Sequence, residues 1–364
     1  VDRTIARWRL HTQGLSTPRA TSAKEVVRTL LCVQAENPAQ SAWAVATRTT
    51  APDAADLAAR LASGEVLRTH VLRPTWHYVL REDSDWLLAL TGPRIRPLVE
   101  RQLDRDIGLG AADLDVLRDT VQAVLSESPD LTRAQLVDAL RERTPVGARL
   151  SGQGPMMLMA YLELERVVCS GRPAAGEHTY ALWSQRVGDR APLPDHDEAL
   201  GRLALRYVTG HGPATAKDLA YWATLALGQA RRGIEVVRDR LESFEHDGRV
   251  FWHVPGAGDP AAPAEPAGHL LQLLDEMYRG YQDSRAVIDA EGVAPGGRET
   301  AIGMALVDGQ VVAGMRRAVD RTRVRFHVVP HRPLAAHERA AVDAAAQRYA
   351  AFLGLEPEVS VRAD

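Results

Sequence analysis

The strongest constraint on this fold is a pattern that the sequence writes three times. A capped helix, a helix-turn-helix and a hairpin recur roughly every eighty residues. The third copy is the plainest. In "GPATAKDLAYWATLALGQARRGIEVVRDRL", Thr215 is placed to cap one helix, and a short turn near Leu227-Gly228 leads into the next. "FEHDGRVFWHV" follows, and its Asp-Gly pair signals a two-residue hairpin turn. The first copy opens with "TSAKEVVRTLLCVQAEN", where Ser22 and Glu25 have capping-box spacing for a helix from about Ala23. Its hairpin is "EVLRTHVLRPTWHYVL", two extended runs broken near Arg73-Pro74. The second copy has Thr132 as an N-cap in "LTRAQLVDALRER", an apolar helix in "GPMMLMAYLELERVV" and a hairpin in "VVCSGRPAAGEHTYALW". Helix-turn-helix plus hairpin is the winged-helix unit, which commonly carries nucleic-acid contacts. Helical packing modules that bind nothing carry the same pattern, so repetition alone leaves both readings open.

Beyond the third copy the texture changes. "PGAGDPAAPAEPAGH" reads as a Pro/Ala/Gly linker or loop. "TAIGMALVDGQVVAGMRR" then holds a second Asp-Gly hairpin. In "RTRVRFHVV" the alternation is strict: Thr322, Val324, Phe326 and Val328 face one way, and Arg321, Arg323, Arg325 and His327 the other. With the helix "AAHERAAVDAAAQRYAAFLG" this makes a small β-barrel or curled sheet. The expected class is α+β, mainly helical, divided at 1–105, 106–195, 196–256 and 257–364.

Composition narrows the setting. Net charge is −3, so any nucleic-acid binding must use local patches. One such patch is "GMRRAVDRTRVRFHVVPHRP", with six arginines and two histidines against one aspartate. Arg316, Arg317, Arg321, Arg323 and Arg325 are its candidate DNA contacts, although a merely charged outer face has the same composition. The two cysteines, Cys32 and Cys169, lie in apolar segments and read as small buried hydrophobes. No run is long and apolar enough for a membrane span, and "VDRTIARWRLHTQG" lacks a signal peptide's apolar stretch. A cytoplasmic, nucleoid-associated monomer without membrane contact is expected.

The most informative local feature is "LLCVQAENPAQSAW", residues 30–43. Val26, Val27, Leu30 and Leu31 trace an apolar helical stripe whose next position is Gln34. An amide there must find partners, since burying it unpaired costs about 1–3 kcal/mol. Pro38 disfavours helical geometry at Asn37, so the helix is predicted to end about there. Glu36 would then face the negative end of the helix dipole, a penalty of a few tenths to about 1 kcal/mol. On a continuing helix the two side chains would diverge by about 200°, so convergence requires the break that Asn37-Pro38 supplies. A capping amide and a solvated surface charge are the plainer account of the same tripeptide.

Together these segments resemble the AlkZ/YcaQ-like family of bacterial DNA glycosylases, whose catalytic motif is Gln-aliphatic-Gln or Gln-aliphatic-Asp. "VQAENP" stands at the matching place. "LRTHVLRPTWHYV", "GHGPATAKDLAYW", "LLDEMYRGYQDSR" and "LVDGQVVAGMRR…HRPLAAHERAAV" follow in the family's order. The resemblance implies three tandem winged-helix motifs and a C-terminal β-barrel around a concave DNA channel. It also implies excision of alkylated bases, in some members bulky adducts or interstrand crosslinks made by genotoxic natural products, as in self-resistance. This chain departs from the motif at its third position, where Glu36 keeps a carboxylate but reaches one methylene further.

On that reading Gln34 and Glu36 are catalytic and act on double-stranded DNA containing alkylated bases. Asn37, Arg68, Arg73, Trp76 and His77 are candidate DNA contacts near the lesion, with His77 equally readable as a satisfied core histidine. No lysine lies near the motif to form a Schiff base, so a monofunctional enzyme without metal or cofactor is expected. In "DEMYRGYQDSR" the charged and aromatic groups are expected to lock the barrel to the helical part. The competing classes are a non-catalytic winged-helix regulator and a protein-interaction module.

Overall fold

The computed structural model describes residues 1–174, 176–188, 192–256, 266–272, 274–295 and 303–362. Most of the Pro/Ala/Gly segment, residues 257–265, lies outside the described residues. In chain order the first elements are α1 (Asp2–Thr12), α2 (Ala23–Leu30), β1 (Cys32–Gln34), α3 (Pro38–Ala46), α4 (Ala54–Ser63), β2 (Val66–His70) and β3 (Trp76–Leu80). Next come α5 (Arg81–Ile107), α6 (Ala111–Glu127), β4 (Leu131–Thr132), α7 (Arg133–Arg143), α8 (Gly154–Leu164), β5 (Val168–Ser170), β6 (Thr179–Leu182) and α9 (Trp183–Arg186). The third stretch is α10 (His196–His211), α11 (Ala216–Trp222), α12 (Leu227–Val236), β7 (Glu242–His246) and β8 (Arg249–His253). The chain closes with β9 (Gly268–Leu271), α13 (Glu276–Arg279), β10 (Gly303–Val307), β11 (Gln310–Val319), β12 (Arg323–Pro330), α14 (Ala336–Leu353) and β13 (Glu356–Val361).

Caps and turns follow the local chemistry. Ser22 accepts from the Glu25 main chain at the start of α2, while the Glu25 carboxylate takes the Thr21 amide at 2.6 Å instead of closing the box on Ser22. Thr132 with Gln135, and Thr215 with Asp218, make reciprocal boxes. Asp247-Gly248 and Asp308-Gly309 all have positive φ, the geometry that two-residue hairpin turns require. The turn between α11 and α12 falls earlier than expected: α11 stops at Trp222, and Leu227 already opens α12.

The chain forms two units, residues 1–57, 200–222 and 226–364 in one, and 58–199 with 223–225 in the other. In the first, β13-β12-β11-β10-β9 form one sheet. It is a curled five-strand half-barrel, the curled sheet of the two expected forms and not a complete barrel. Among the described residues its edges β9 and β13 find no strand partner beyond the sheet. Burial explains why only part of it alternated in the sequence. On β10, Ala305 and Val307 enter a core with Trp43, Phe326, Val342 and Tyr349, while Met304 and Leu306 enter a second with Ile5, Leu10, Phe251 and Met277. A strand buried on both faces reads as a continuous apolar run. On β12, Val324, Phe326 and Val328 are buried on one face, with Val329 buried beside them, while Arg323 and Arg325 are exposed.

In the second unit, β2 and β3 pair antiparallel from Val66–Leu80 to His70–Trp76. β6 lies between β4 and β5, and the apolar α8 packs on α5. Cys169 is buried there, which pushes its thiol up, as Cys32 is buried in the first unit. Among the described residues no helix is long and apolar enough to cross a membrane.

Candidate active site

Gln34 stands on a strand, not on a helix, and this overturns the expected local geometry. α2 ends at Leu30, and Leu31 takes φ 65° and ψ −48°, a strained turn for a buried leucine. Helix continuation is blocked by α10. Gly210 sits so close that a Cβ there would lie 2.4 Å from the Thr29 carbonyl oxygen. Arg206 on the same helix donates to the Arg28 carbonyl at 2.7 Å, satisfying a group that another helical turn would have used. The chain therefore turns and extends through Cys32-Val33-Gln34.

Pro38 plays the opposite role to the one expected. It does not end the preceding helix; it is the first residue of α3, where its fixed φ and missing N–H fit. Glu36 thus precedes the positive end of a helix dipole, and the expected unfavourable placement is corrected in sign. The strand ends at Gln34, and two residues of non-helical chain, Ala35 and Glu36, lead from it to Asn37 at the start of α3. Gln34 is 4% exposed, whereas Glu36 and Asn37 are exposed. Asn37 starts α3 through its main chain, and its side chain makes no capping bond.

The flanks of the motif are anchored to residues 270–276. The Gln34 N–H donates to Glu276 Oε1 at 2.9 Å. Glu276 Oε2 accepts from the Trp222 indole at 2.8 Å and faces His211 Nε2 at 3.3 Å. Past the motif, Trp43 donates to the Leu270 carbonyl at 3.0 Å and stacks on Tyr349 with ring centroids 4.5 Å apart. Arg48 closes on Asp275 and on Gln13. Downstream, Ser284 and the Gln282 and Ser284 amides bind Asp218, and Arg9 lies 3.6 Å from the Tyr281 ring centroid. The segment "DEMYRGYQDSR" is therefore a lock, as expected. Glu276, His211 and Trp222 were missed as site-building residues. No local pattern in the sequence marks the three as partners, since they lie on α10, α11 and α13.

Arg68, Arg73, Trp76 and His77 belong to the other unit, where each is 9% exposed or less. The Arg68 guanidinium lies over the Trp76 ring at 4.4 Å. His77 Nδ1–H donates to the Thr75 carbonyl at 2.9 Å, which leaves Nε2 to accept from Arg73 at 3.1 Å. Of the basic candidates on the sheet, Arg323 and Arg325 face Glu358, and Arg325 also binds Asp320 at 2.8 Å. Arg317 is half-buried against Tyr349. Arg316 and Arg321 are exposed and make no ion pair among the described residues. Among those residues no group of three or more His, Cys, Asp or Glu side chains is placed to hold a metal ion.

The fold belongs to a known class. It superposes on the structure of Streptomyces sahachiroi DNA glycosylase AlkZ with a TM-score of 0.79 over 99% of each chain, at 22% identity. A relative from the same organism, named as an interstrand DNA cross-link repair glycosylase, is 28% identical over 291 residues, 76% of either chain. Residues 27–352 match the family described as DNA glycosylase AlkZ-like, and the chain belongs to that family. It is a DNA glycosylase.

Proposed function

We propose that this glycosylase hydrolyses the N-glycosidic bond of alkylated purines in duplex DNA, with Gln34 and Glu36 as its catalytic pair. Excision of bulky adducts or interstrand crosslinks is included, in line with the activity named for the Streptomyces sahachiroi relative. The observation that carries the reading is an exposed carboxylate two residues beyond a buried amide whose main chain is anchored. Alkylation of a ring nitrogen puts positive charge on the purine and makes it a good leaving group. The enzyme's task is then to stabilise an oxocarbenium-like sugar and present water to it. Glu36 supplies negative charge and the base for water, and Gln34 holds the water or the sugar through its amide. With no lysine at the motif, hydrolysis stops at the abasic sugar, and neither metal nor cofactor takes part.

Three winged-helix units, 1–105, 106–195 and 196–256, would line a concave DNA channel with the C-terminal sheet at 257–364. The protein would act as a monomer. Asn37, exposed beside Glu36, is the contact assigned nearest the lesion. Arg316 and Arg321 are the phosphate contacts best supported by exposure, with Arg317, Arg323 and Arg325 secondary. Arg68, Arg73, Trp76 and His77 would act near the lesion as a pre-packed cluster, not as mobile surface groups.

The test is single-turnover release of an alkylated purine from a labelled duplex, with Glu36→Gln and Gln34→Ala run beside the wild type. Loss of release with DNA binding intact supports the pair. Release from neither simple nor bulky adducts, with tight binding to undamaged duplex, would overturn the catalytic reading.

A further inference from the structure

We infer that Glu276 is a positioning residue for excision: its buried carboxylate fixes the end of β1 and, through it, the Gln34–Glu36 pair. The inference rests on the catalytic reading of that pair.

Glu276 is fully buried, and its two oxygens have different tasks. Oε1 accepts the Gln34 main-chain N–H at 2.9 Å. Oε2 accepts the Trp222 indole N–H at 2.8 Å and faces His211 Nε2 at 3.3 Å. Among the described residues His211 Nδ1 has no hydrogen-bond partner, whereas Nε2 faces Glu276, so Nε2 is assigned as the nitrogen that donates. These three groups are donors, and only a carboxylate accepts on both oxygens at once. Buried charge is costly unless it is well hydrogen-bonded, so packing alone gives no reason for a carboxylate here.

The frame around Glu276 is held independently of the motif. His211 stacks on Tyr207 with ring centroids 4.8 Å apart, and the Tyr207 hydroxyl donates to the Gly280 carbonyl at 2.7 Å. The Tyr281 hydroxyl donates to the His211 carbonyl at 2.7 Å and accepts from Gln13 at 3.0 Å. The adjacent Asp275 meanwhile grips Arg48, beyond α3. Consecutive side chains of one short segment thus hold the motif before and after Glu36. Glu276, His211 and Trp222 are all withdrawn from solvent, so they act through the main chain of Gln34 and not on substrate. Placement matters because a shift of about 1 Å in a reacting group can cost about 100-fold in rate.

In Glu276→Gln one oxygen becomes an NH2 group that must oppose either the Gln34 amide or the Trp222 and His211 donors. Adding Trp222→Phe removes the indole donor, and His211 can then move its proton to Nδ1 and accept the new amide. The glutamine oxygen is thereby returned to Gln34. The experiment compares wild type, Glu276→Gln, Trp222→Phe/Glu276→Gln and Glu36→Gln in single-turnover release from a duplex carrying N7-methylguanine. Binding to the same duplex and backbone hydrogen exchange across residues 31–37 are measured in parallel. Glu276→Gln should slow release by about 10- to 100-fold, keep affinity within about threefold and speed exchange in that segment. The double variant should recover much of the rate. Wild-type release by Glu276→Gln, or slowed release that the double variant does not restore, overturns the positioning role even where Glu36→Gln is inactive. Wild-type release by Glu36→Gln overturns the catalytic reading, and this inference with it. Should Glu276→Gln fail to fold, Glu276→Asp keeps both acceptors at shorter reach, and unchanged release from it equally overturns the proposal.

Discussion

Arg48 and Asp275 close a bidentate ion pair, NH2 to Oδ1 at 2.7 Å and NH1 to Oδ2 at 3.0 Å, with both side chains buried. Arg48 also caps α3 through the Ala44 carbonyl at 2.6 Å, so the pair ties the helix after the motif to the segment before α13. Removing one partner leaves a buried charge alone. Arg48→Met or Asp275→Leu should each cost about 3–5 kcal/mol of stability, and Arg48→Met/Asp275→Leu distinctly less than their sum. Urea unfolding of the three variants decides it. Additive losses would show that the pair is not coupled.

Shortening Glu36 restores the family's aspartate and leaves a carboxylate at the same site. Glu36→Asp should keep release within about tenfold of wild type, whereas Glu36→Gln should lose about 100-fold or more. Equal losses in the two would mean that reach, not charge, is what position 36 supplies.

At Gly210 an added Cβ would meet the Thr29 carbonyl at 2.4 Å and Leu30 Cα at 3.1 Å. Gly210→Ala must push α10 from the end of α2, at a cost of about 1–3 kcal/mol. Because Leu31 and β1 follow at once, base release should slow along with the fall in melting temperature. A stable variant with full activity would contradict the account of why the motif is a strand.

Acid should weaken the fold through buried histidines. Burial, with Arg348 and Arg48 nearby, pushes His269 down to about 3, and burial with Arg68 nearby pushes His178 down to about 4. An unfolded histidine titrates near 6.5, so below that value the unfolded chain binds protons that the folded one refuses. Stability is therefore full above about pH 6.5 and falls as pH drops toward 4 and then 3, by at most about 1.4 kcal/mol per pH unit for each ring. His178 is partly exposed and should contribute less than His269. Glu163, held below the usual carboxylate range by His70 against the opposing effect of burial, adds to the loss below its ordinary 4.5. Urea midpoints between pH 7.5 and pH 4.5 test this, on the expectation of a steady decline. His269→Asn should flatten the slope.

Salt dependence of DNA binding separates the arginines. Each lost phosphate contact lowers the slope of log affinity against log salt by about one. Arg316→Ala and Arg321→Ala should each do so. Arg325→Ala should do less, because Asp320 and Glu358 already hold that guanidinium. A reversed order would move the DNA track off the exposed end of β11.

What the sequence determined by itself is the local chemistry: where helices begin at Ser22, Thr132 and Thr215, where Asp247-Gly248 and Asp308-Gly309 turn, and which face of β12 is apolar. Gln34 is buried as expected, but not through a helical stripe: residues 30–35 are all buried, whatever their spacing. Only the tertiary structure decided that this position lies on a strand, that Pro38 opens a helix, and that Glu276 holds the strand end. Helix and strand preferences differ by about 1 kcal/mol per residue or less, so packing readily overrides them over a few residues. Here the deciding contacts come from Gly210 and Glu276, far along the chain from Thr29 and Gln34. No local pattern around residue 34 contains them.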